Sequence, residues 1–405
     1  MATGFSPLDA ELDLPAACLL PHAHQALVRL GALLPFAQAT EQLHALFDIH
    51  VSPSTVRLQT QQAGRGSLAV QNEQAKPLAA CPEETPAERM VMSADGAFVP
   101  LVAGQWAEVK LLAIGQVEGQ EAVSPEAMPH VSTTHLSYFA RLTDVSTFSE
   151  QASAEIRRRG LDRAQAVCAV QDGAEWLVGL THSHRHDALR ILDFAHAAQR
   201  IAAIRDLFVA TGRMLEGNWL ESLLHRLKQE GPDRVVQELE QMYQDAGKPE
   251  AMAEHVRYLR KRMASMQYPT FQKAGWPIGS GMVESGNKLV MQARLKGAGM
   301  HWKPEQVNPM LALRMNLCNQ RWNEGWKDQL RWNEQARSAR RRRKQQHRWT
   351  QRQSTQLHND IPVAAVAAQP EPAPKLSTGR TQGQYRWGRQ TFSPRMLRQG
   401  GLAKK

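Results

Sequence analysis

Three acidic residues of this chain lie in contexts typical of carboxylates that bind metal ions. Asp95 and Asp172 each follow an apolar run and precede Gly-Ala, and Glu284 lies shortly after the flexible segment 279–281. The first two contexts predict the carboxyl ends of strands, and the third predicts the first turn of a helix, where the helix dipole favours a negative charge. Three such carboxylates can hold two Mg²⁺ ions about 3.5–4 Å apart, which suits phosphodiester chemistry, and Mn²⁺ could replace Mg²⁺.

Each of these acids, taken alone, also has a purely structural explanation. A carboxylate at a strand end often belongs to a turn, and one at a helix start often stabilises the helix terminus. The three together favour function, because they fall in one predicted α/β segment beside a predicted DNA-binding module. The glycines after Asp95 and Asp172 would let the backbone turn and leave space for a phosphate group.

Composition favours a polyanionic partner and a reducing compartment. The chain has 405 residues, a formal net charge of +10 and a pI near 9.6, which favour nucleic acid as a partner. The cysteines form no CxxC pair, so a disulfide framework or a cysteine-based zinc site is not expected. The chain lacks both a signal-peptide pattern and an apolar run of about 20 residues, so we expect a cytoplasmic protein without a membrane partner. The cysteines are Cys18, Cys81, Cys168 and Cys318.

The central part of the chain has the pattern of a mixed α/β sheet. Apolar runs with strand character alternate with helical segments, and residues 206–270 are charged and helical without a strand pattern, which predicts an all-α insertion. Predicted strands cover residues 89–94, 106–117, 135–143, 164–171 and 188–192, and predicted helices cover 147–159, 194–208, 282–296 and 309–322.

The N-terminal region, residues 1–66, contains a predicted helix-turn-helix. One helix covers residues 35–47, residues 48–51 turn the chain, and a second helix begins after the N-cap Ser52 and ends at Gly64. Exposed side chains on the second helix would contact DNA. The alternative is a helical hairpin without a DNA role. The predicted DNA-contacting residues are Thr55, Arg57 and Gln61.

Two further segments have compositions typical of irregular chain. Residues 67–88 are polar and contain several prolines, which predicts a linker. Residues 326–405 are rich in Arg, Lys and Gln and then in Pro, Ala and Gly, which predicts a basic, mostly disordered tail. The predicted catalytic domain lies between these two segments, over residues 89–325.

Several motifs together resemble those of the DDE transposases of bacterial insertion sequences, in particular the Kra-type family, which is related to Mutator-like transposases. The motifs are a strand followed by DGA, VQDGAEW, LDFAH and GSGMVESGNK, and the resemblance covers roughly residues 4–325. It implies an RNase H-like catalytic domain that a helical insertion interrupts before the final glutamate. It also implies that Asp95, Asp172 and Glu284 are the catalytic, metal-binding triad.

The same resemblance implies auxiliary residues. Asp193 and His196 match an acid-x-x-His motif, so they are expected near the active site, where they contact DNA or orient the third acid; a helix-capping pair is the alternative. The stretch 294–302 matches a basic segment of the family, in which cations would grip phosphates and a tryptophan would stack on a base. A solvated basic face with a buried tryptophan is the alternative there. The residues concerned are Arg294, Lys296, Trp302 and Lys303.

We therefore expect a transposase that binds terminal inverted repeats of double-stranded DNA, cleaves at the 3′ end and joins that end to target DNA. A homodimer or a higher multimer on DNA is implied, in a bacterial cytoplasm and associated with the nucleoid. The alternatives are a catalytically silent or domesticated DNA-binding protein and a structure-specific nuclease on the same fold. Family members often carry a cysteine-rich, zinc-ribbon-like segment ahead of the helix-turn-helix, and this chain starts without one; we expect either a shorter variant or a missing upstream part.

Overall fold

A computed structural model describes residues 19–76, 84–85, 87–119 and 131–359. The chain divides into two compact units, residues 1–342 and 343–405. The described residues belong to the first unit, except for residues 343–359 of the C-terminal helix.

A five-stranded mixed sheet forms the centre of the first unit, in agreement with the predicted α/β class. The strand order is β3-β2-β1-β4-β5. The first three strands pair antiparallel, and β4 and β5 add in parallel to β1. All five predicted strands are present. They are β1 (Arg89–Pro100), β2 (Trp106–Gly119), β3 (Val131–Arg141), β4 (Ala166–Gln171) and β5 (Leu189–Leu192).

Helices account for most of the remaining described residues. They are α1 (Pro21–Leu33), α2 (Phe36–Phe47), α3 (Pro53–Gln74), α4 (Val145–Arg159), α5 (Glu175–His184), α6 (Phe194–Ala210), α7 (Trp219–Glu230), α8 (Pro232–Asp245), α9 (Glu250–Lys261), α10 (Tyr268–Lys273), α11 (Gly281–Gly286), α12 (Ala293–Leu295), α13 (Pro304–Cys318) and α14 (Trp322–Asn359). A π-helical segment, Asn287–Gln292, joins α11 to α12, and short 3₁₀ helices lie at Val102–Gly104, Leu161–Arg163 and Met263–Met266.

Helices cover both faces of the sheet. Neighbouring residues of a strand point to opposite faces, and β3 shows this with Tyr138 and Phe139. Tyr138 lies against Gly286 of α11 on one face. The ring centroid of Phe139 lies 5.6 Å from that of Phe148 in α4 on the other face. The inner strand β4 is therefore buried on both sides, which explains its continuous apolar sequence.

Between the strands and α11 the chain contains helices only, as predicted for residues 206–270. Helices α7 to α9 are strongly amphipathic and bury one apolar face each, for example through Leu223, Val236 and Leu259. This pattern explains why a charged sequence still forms a compact helical insertion.

The N-terminal helices agree with the predicted cap but not with the predicted length. Ser52 accepts a hydrogen bond from the Thr55 backbone N–H at 3.1 Å, and Pro53 occupies the first position of α3, as expected. However, α3 does not end at Gly64 but continues to Gln74. The predicted linker is therefore wrong for residues 67–74, while residues 77–83 and 86 lie outside the described part of the chain.

The reason for this error is a close helix-helix contact. A Cβ atom added to Gly64 would lie 2.5 Å from the Pro309 carbonyl oxygen of α13. Gly64 therefore allows two helices to approach closely, and it does not stop its own helix.

The predicted disordered tail is also wrong over residues 326–359, which belong to α14. Arg, Lys and Gln are good helix formers, and the helix is anchored near its start by the buried side chains of Trp322, Trp326 and Gln329. Residues 360–405 lie outside the described part of the chain. Within the described residues, the helices are all too short or too polar to cross a membrane.

Candidate active site

The sheet places Asp95, Asp172 and Asp193 at the same level of three neighbouring strands. Met92 of β1 pairs with Ala169 of β4, and Asp95 and Asp172 each lie three residues further along. Gln171 of β4 pairs with Leu192 of β5, and Asp172 and Asp193 follow them directly. Asp172 lies just beyond β4, as predicted. Asp95 does not end its strand, because β1 continues to Pro100 in antiparallel pairing with β2.

Asp95 is half-buried and held by two hydrogen bonds. Its Oδ1 accepts from the Gly96 backbone N–H and its Oδ2 accepts from Asn287 Nδ2, both at 2.7 Å. Burial raises the pKa of Asp95; these two hydrogen bonds oppose the shift, the negative charge of Asp172 adds to it and the positive form of His196 opposes it. Asp95 is therefore a partly desolvated carboxylate that interacts electrostatically with both Asp172 and His196.

The loop after Asp172 is held by the helical insertion. Asp172 Oδ1 accepts from the Ala174 backbone N–H at 2.8 Å. The Tyr258 hydroxyl of α9 donates to the Asp172 carbonyl oxygen, and Arg262 donates to the Gly173 carbonyl oxygen at 2.6 Å. Gly173 has a φ of 82°, and a Cβ atom there would lie 2.8 Å from the Tyr258 hydroxyl. The positive φ favours glycine at this position, and an added Cβ atom would force the Tyr258 and Arg262 side chains to shift.

Glu284 lies in the first turn of α11, as predicted, and its side chain is exposed. Asn287 follows three residues later and donates the hydrogen bond to Asp95. This hydrogen bond ties the end of α11, the helix that carries Glu284, to Asp95. The helix becomes π-helical from Asn287, an irregularity often found at functional sites.

Asp95, Asp172 and Glu284 do not form a closed group of three metal ligands. Within the described residues, the only group of three acidic, histidine or cysteine side chains whose metal-binding atoms all lie within 4.8 Å of one another is His44, Asp48 and His50. Asp95, Asp172 and Glu284 are thus further apart than the ligands of a single ion. A site for two ions is wider, because each ion takes its own set of oxygen ligands.

Asp193 caps the start of α6, as the alternative interpretation expected, and it also contacts the segment ahead of α11. It is buried, and its Oδ1 accepts from the Ala195 backbone N–H at 3.0 Å at the start of α6. Its Oδ2 accepts from the Ser280 hydroxyl, just ahead of α11. Ser280 precedes α11 but makes no side-chain capping hydrogen bond to it. His196 Nε2 lies 3.9 Å from Asp193 Oδ2.

Arg294 does not fit its predicted role in gripping phosphates. It is 1% exposed, donates to the Gly31 carbonyl oxygen at 3.1 Å and lies 4.6 Å from the centroid of the Phe36 ring. Burial lowers the pKa of Arg294 to about 10. A basic residue in a sequence pattern does not reveal burial, and here the guanidinium joins α12 to the N-terminal helices.

Trp302 is not available for base stacking, and the alternative of a buried tryptophan is correct. It is 6% exposed, and its indole N–H donates to the Leu295 carbonyl oxygen at 3.1 Å. Lys296 and Lys303 are exposed, as a phosphate-binding role requires. Lys296 Nζ lies 5.8 Å from the ring centroid of Trp106, which is 60% exposed and was not singled out in the sequence.

Only one of the three predicted DNA contacts on α3 is fully exposed. Arg57 is exposed, whereas Thr55 and Gln61 are half-buried, and the Thr55 hydroxyl lies 3.0 Å from the Ser52 hydroxyl within the helix cap. The expectation of three exposed side chains is therefore wrong for two of them. Leu58, next to Arg57, is exposed instead.

Sequence reasoning also missed the residues that support the acids. Asn287 could have been found from its position three residues after Glu284, since this spacing places both on one helix face. Tyr258 and Arg262 had no local signal, because only the tertiary structure brings α9 to the loop after β4.

A comparison of the chain with models of protein families found no match, and a search of curated proteins found none either. The resemblance to DDE transposases therefore depends on the sequence motifs of this chain alone.

Proposed function

We propose that this chain is a polynucleotidyl transferase with an RNase H-like catalytic domain, and within that class a DDE transposase of the Kra-type family. The mixed sheet supports this proposal, because its central strand β1 carries one acid and its parallel neighbour β4 leads into the second. The helical insertion between the second and third acids agrees with the interrupted domain that the resemblance implies.

The observation that carries the proposal is the link between Asp95, Asp172 and the helix of Glu284. Asp95 and Asp172 share one level of the sheet and are close enough for the charge of Asp172 to raise the pKa of Asp95. Asn287 ties the helix that bears Glu284 to Asp95. This hydrogen bond supports the proposal that Glu284 acts together with the two aspartates.

The carboxylates fit a site for two Mg²⁺ ions, which Mn²⁺ could replace. Asp95, Asp172 and Glu284 supply the oxygen ligands that hard cations prefer. The burial of Asp95 and its repulsion by Asp172 disfavour a bare charged carboxylate, and a divalent cation would offset both. When bound, such ions activate an attacking water or 3′-hydroxyl group and stabilise the leaving oxygen.

The other residues of the site act by orientation. Asn287 fixes the rotamer of Asp95, and Tyr258 and Arg262 fix the loop of Asp172. The Ser280–Asp193 hydrogen bond fixes the segment that leads to Glu284. Such positioning matters, because misplacement by about 1 Å can cost about 100-fold in rate.

Double-stranded DNA is the proposed partner. We assign α2 and α3 to recognition of the terminal inverted repeats, as a helix-turn-helix with Arg57 exposed. Lys296, Lys303 and the basic residues of α14 would contact phosphates. A homodimer or higher multimer is needed to hold two transposon ends together, and the proposed setting is the bacterial nucleoid.

The proposal is tested by replacing each acid with its amide. Asp95→Asn, Asp172→Asn and Glu284→Gln should each reduce Mg²⁺-dependent cleavage and strand transfer to background, while binding to duplexes taken from the DNA that flanks the gene persists. Gel-based cleavage and binding assays measure both. Glu305→Gln, which changes an exposed acid of α13, is the control and should cleave normally. Full cleavage by any of the three variants would remove that acid from the mechanism, and cleavage without joining would favour a nuclease.

A further inference from the structure

A group of three potential metal ligands lies on the N-terminal helices, apart from the proposed catalytic acids. His44 lies in the last turn of α2, Asp48 caps the end of that helix, and His50 follows in the turn before α3. One potential ligand atom from each lies within 4.8 Å of the other two. The transposase proposal makes no use of these side chains.

The distances are close to those of a metal-binding site. Asp48 Oδ1 lies 3.3 Å from His50 Nε2 and 3.8 Å from His44 Nδ1. A tetrahedral site with bonds of about 2.0–2.2 Å separates neighbouring ligand atoms by about 3.3–3.6 Å. The centroids of the two imidazole rings lie 4.1 Å apart. The side chains are exposed and can rotate, and such a rotation would bring both imidazole nitrogens to face one ion together with Asp48.

The surroundings favour a cation. The helix dipole places partial negative charge at the end of α2, and Asp48 adds a full negative charge there. Asp48 has a left-handed backbone, with φ at 51°, and its backbone N–H donates to the carbonyl oxygens of His44 and Leu43. These backbone bonds hold the positions of His44 and Asp48 relative to each other before any ion binds.

The exposure of the three side chains determines the type of site. They are 58%, 90% and 70% exposed for His44, Asp48 and His50. An ion held there would keep positions open to water and would exchange readily. Two imidazoles and one carboxylate suit Zn²⁺ and its neighbours in the first transition row, whereas Mg²⁺ prefers oxygen ligands alone.

We propose that His44, Asp48 and His50 bind one Zn²⁺ ion, which clamps the turn between α2 and α3. The ion joins the end of one helix to the segment that begins the next and so restricts the angle between them. This site is separate in sequence and in chemistry from the acids proposed to hold Mg²⁺, and it does not require the chain to be a transposase.

The test measures the binding of Zn²⁺ to the full-length chain without an affinity tag by calorimetry. A second measurement replaces Zn²⁺ with Co²⁺ and records its visible absorption. Excess Mg²⁺ is present, so that the acidic site is occupied. We expect one tight Zn²⁺ per wild-type chain and a rise in Tm on binding. His44→Ala, His50→Ala and Asp48→Asn should each weaken binding by at least about tenfold, since loss of a supporting outer-shell partner alone costs 10–100-fold.

The variants separate a binding defect from a folding defect. Asn tolerates the left-handed conformation, so Asp48→Asn keeps the helix cap while it removes the charge. His22→Ala changes an exposed histidine of α1 and should bind Zn²⁺ like the wild type, as should Asp172→Asn. Absence of Zn²⁺ binding, or equal affinity in the wild type and all three variants, would overturn the proposal and leave a pair of surface histidines around a carboxylate.

Discussion

Among the individual residues, Asp95 carries a negative charge that the proposed function needs but that its partly buried position disfavours. Burial raises the pKa of Asp95 above its ordinary value of 3.8, which means that the folded protein binds this proton more tightly than the unfolded chain. The stabilising contribution of Asp95 is therefore complete below that value, and it is lost as the pH rises through the raised folded-state pKa. At neutral pH the charged carboxylate costs stability, and the proposed function requires that charge.

This balance predicts that Asp95→Asn stabilises the metal-free protein at neutral pH although it abolishes cleavage. The amide carries no charge to desolvate, and Asn287 can turn its amide so that its unpaired Oδ1 accepts from the new N–H. Tm in EDTA should therefore exceed that of the wild type at pH about 7, and the difference should shrink as the pH falls toward about 4. Thermal denaturation over a pH series measures this. Glu305→Gln, with its exposed carboxylate, should show no such difference. A variant less stable than the wild type at neutral pH would contradict the desolvation argument.

Individual side chains are also where prediction from the sequence was weakest. The acids were identified from their short contexts, and Glu284 lies in the first helical turn as expected. Arg294 and Trp302 were assigned to DNA because their residue types suit it, yet both are buried. The type of a residue indicates which chemistry it can do. Whether Arg294 is buried depends on neighbours such as Phe36 and Gly31, which are distant in the sequence.

At the scale of helices and strands, the insertion is connected to the site that it interrupts. The Tyr258 ring of α9 lies between two guanidinium groups, 3.8 Å from that of Arg262 and 4.5 Å from that of Arg200. Its hydroxyl and Arg262 hold the backbone at Asp172 and Gly173. The insertion therefore supports the loop of the second acid as well as separating it from the third.

This contact predicts that Tyr258→Phe lowers kcat by about 10–100-fold while DNA affinity changes little, since small misplacements of a catalytic group cost this much. Single-turnover cleavage and DNA binding, measured on the same preparation, separate the two effects. Tyr243→Phe in α8 is the matched control and should retain full activity. A parallel loss of affinity, or an unchanged rate, would argue against a positioning role.

Periodicity predicted the strands and most helices because each pattern is local. All five strands and the helical character of residues 206–270 follow from apolar spacing. The errors have non-local causes. In the sequence Gly64 predicts a helix end, but its structural role is to allow the close approach of α3 to Pro309 of α13. The basic segment beyond Gly325 was assigned as disordered, but buried Trp322 and Trp326 anchor it as a helix.

At the scale of the whole molecule, positive charge is concentrated toward the C-terminus. Beyond the buried anchors of α14, the sequence carries a run of cations, namely Arg337, Arg340, Arg341, Arg342, Arg343 and Lys344. A chain with net charge +10 attracts nucleic acid regardless of base sequence, and such binding depends steeply on salt.

We therefore predict that deletion of residues 337–405 weakens non-specific DNA binding and makes it less dependent on salt. The slope of log K against log salt should become shallower by about 0.9 for each phosphate that the deleted cations neutralise. Fluorescence anisotropy over a salt series measures the slope. The truncation keeps Trp322, Trp326 and Gln329, so the fold of the remaining chain should persist, as circular dichroism would check. An unchanged slope would rule out a role for this segment in binding phosphates.

The tether at Asp193 has a consequence for how such a domain can vary. Ser280 lies 87 residues after Asp193, yet the two side chains are hydrogen-bonded, and the Phe194 backbone N–H donates to the Ile278 carbonyl oxygen at 2.9 Å. These two hydrogen bonds join the point where the insertion leaves the sheet to the point where the chain returns to it. The entropy of closing a loop grows only slowly with its length. Because Asp193 and Ser280 are joined, the helices between them that do not contact the loop after Asp172 can lengthen, shorten or be exchanged without moving the segment ahead of Glu284.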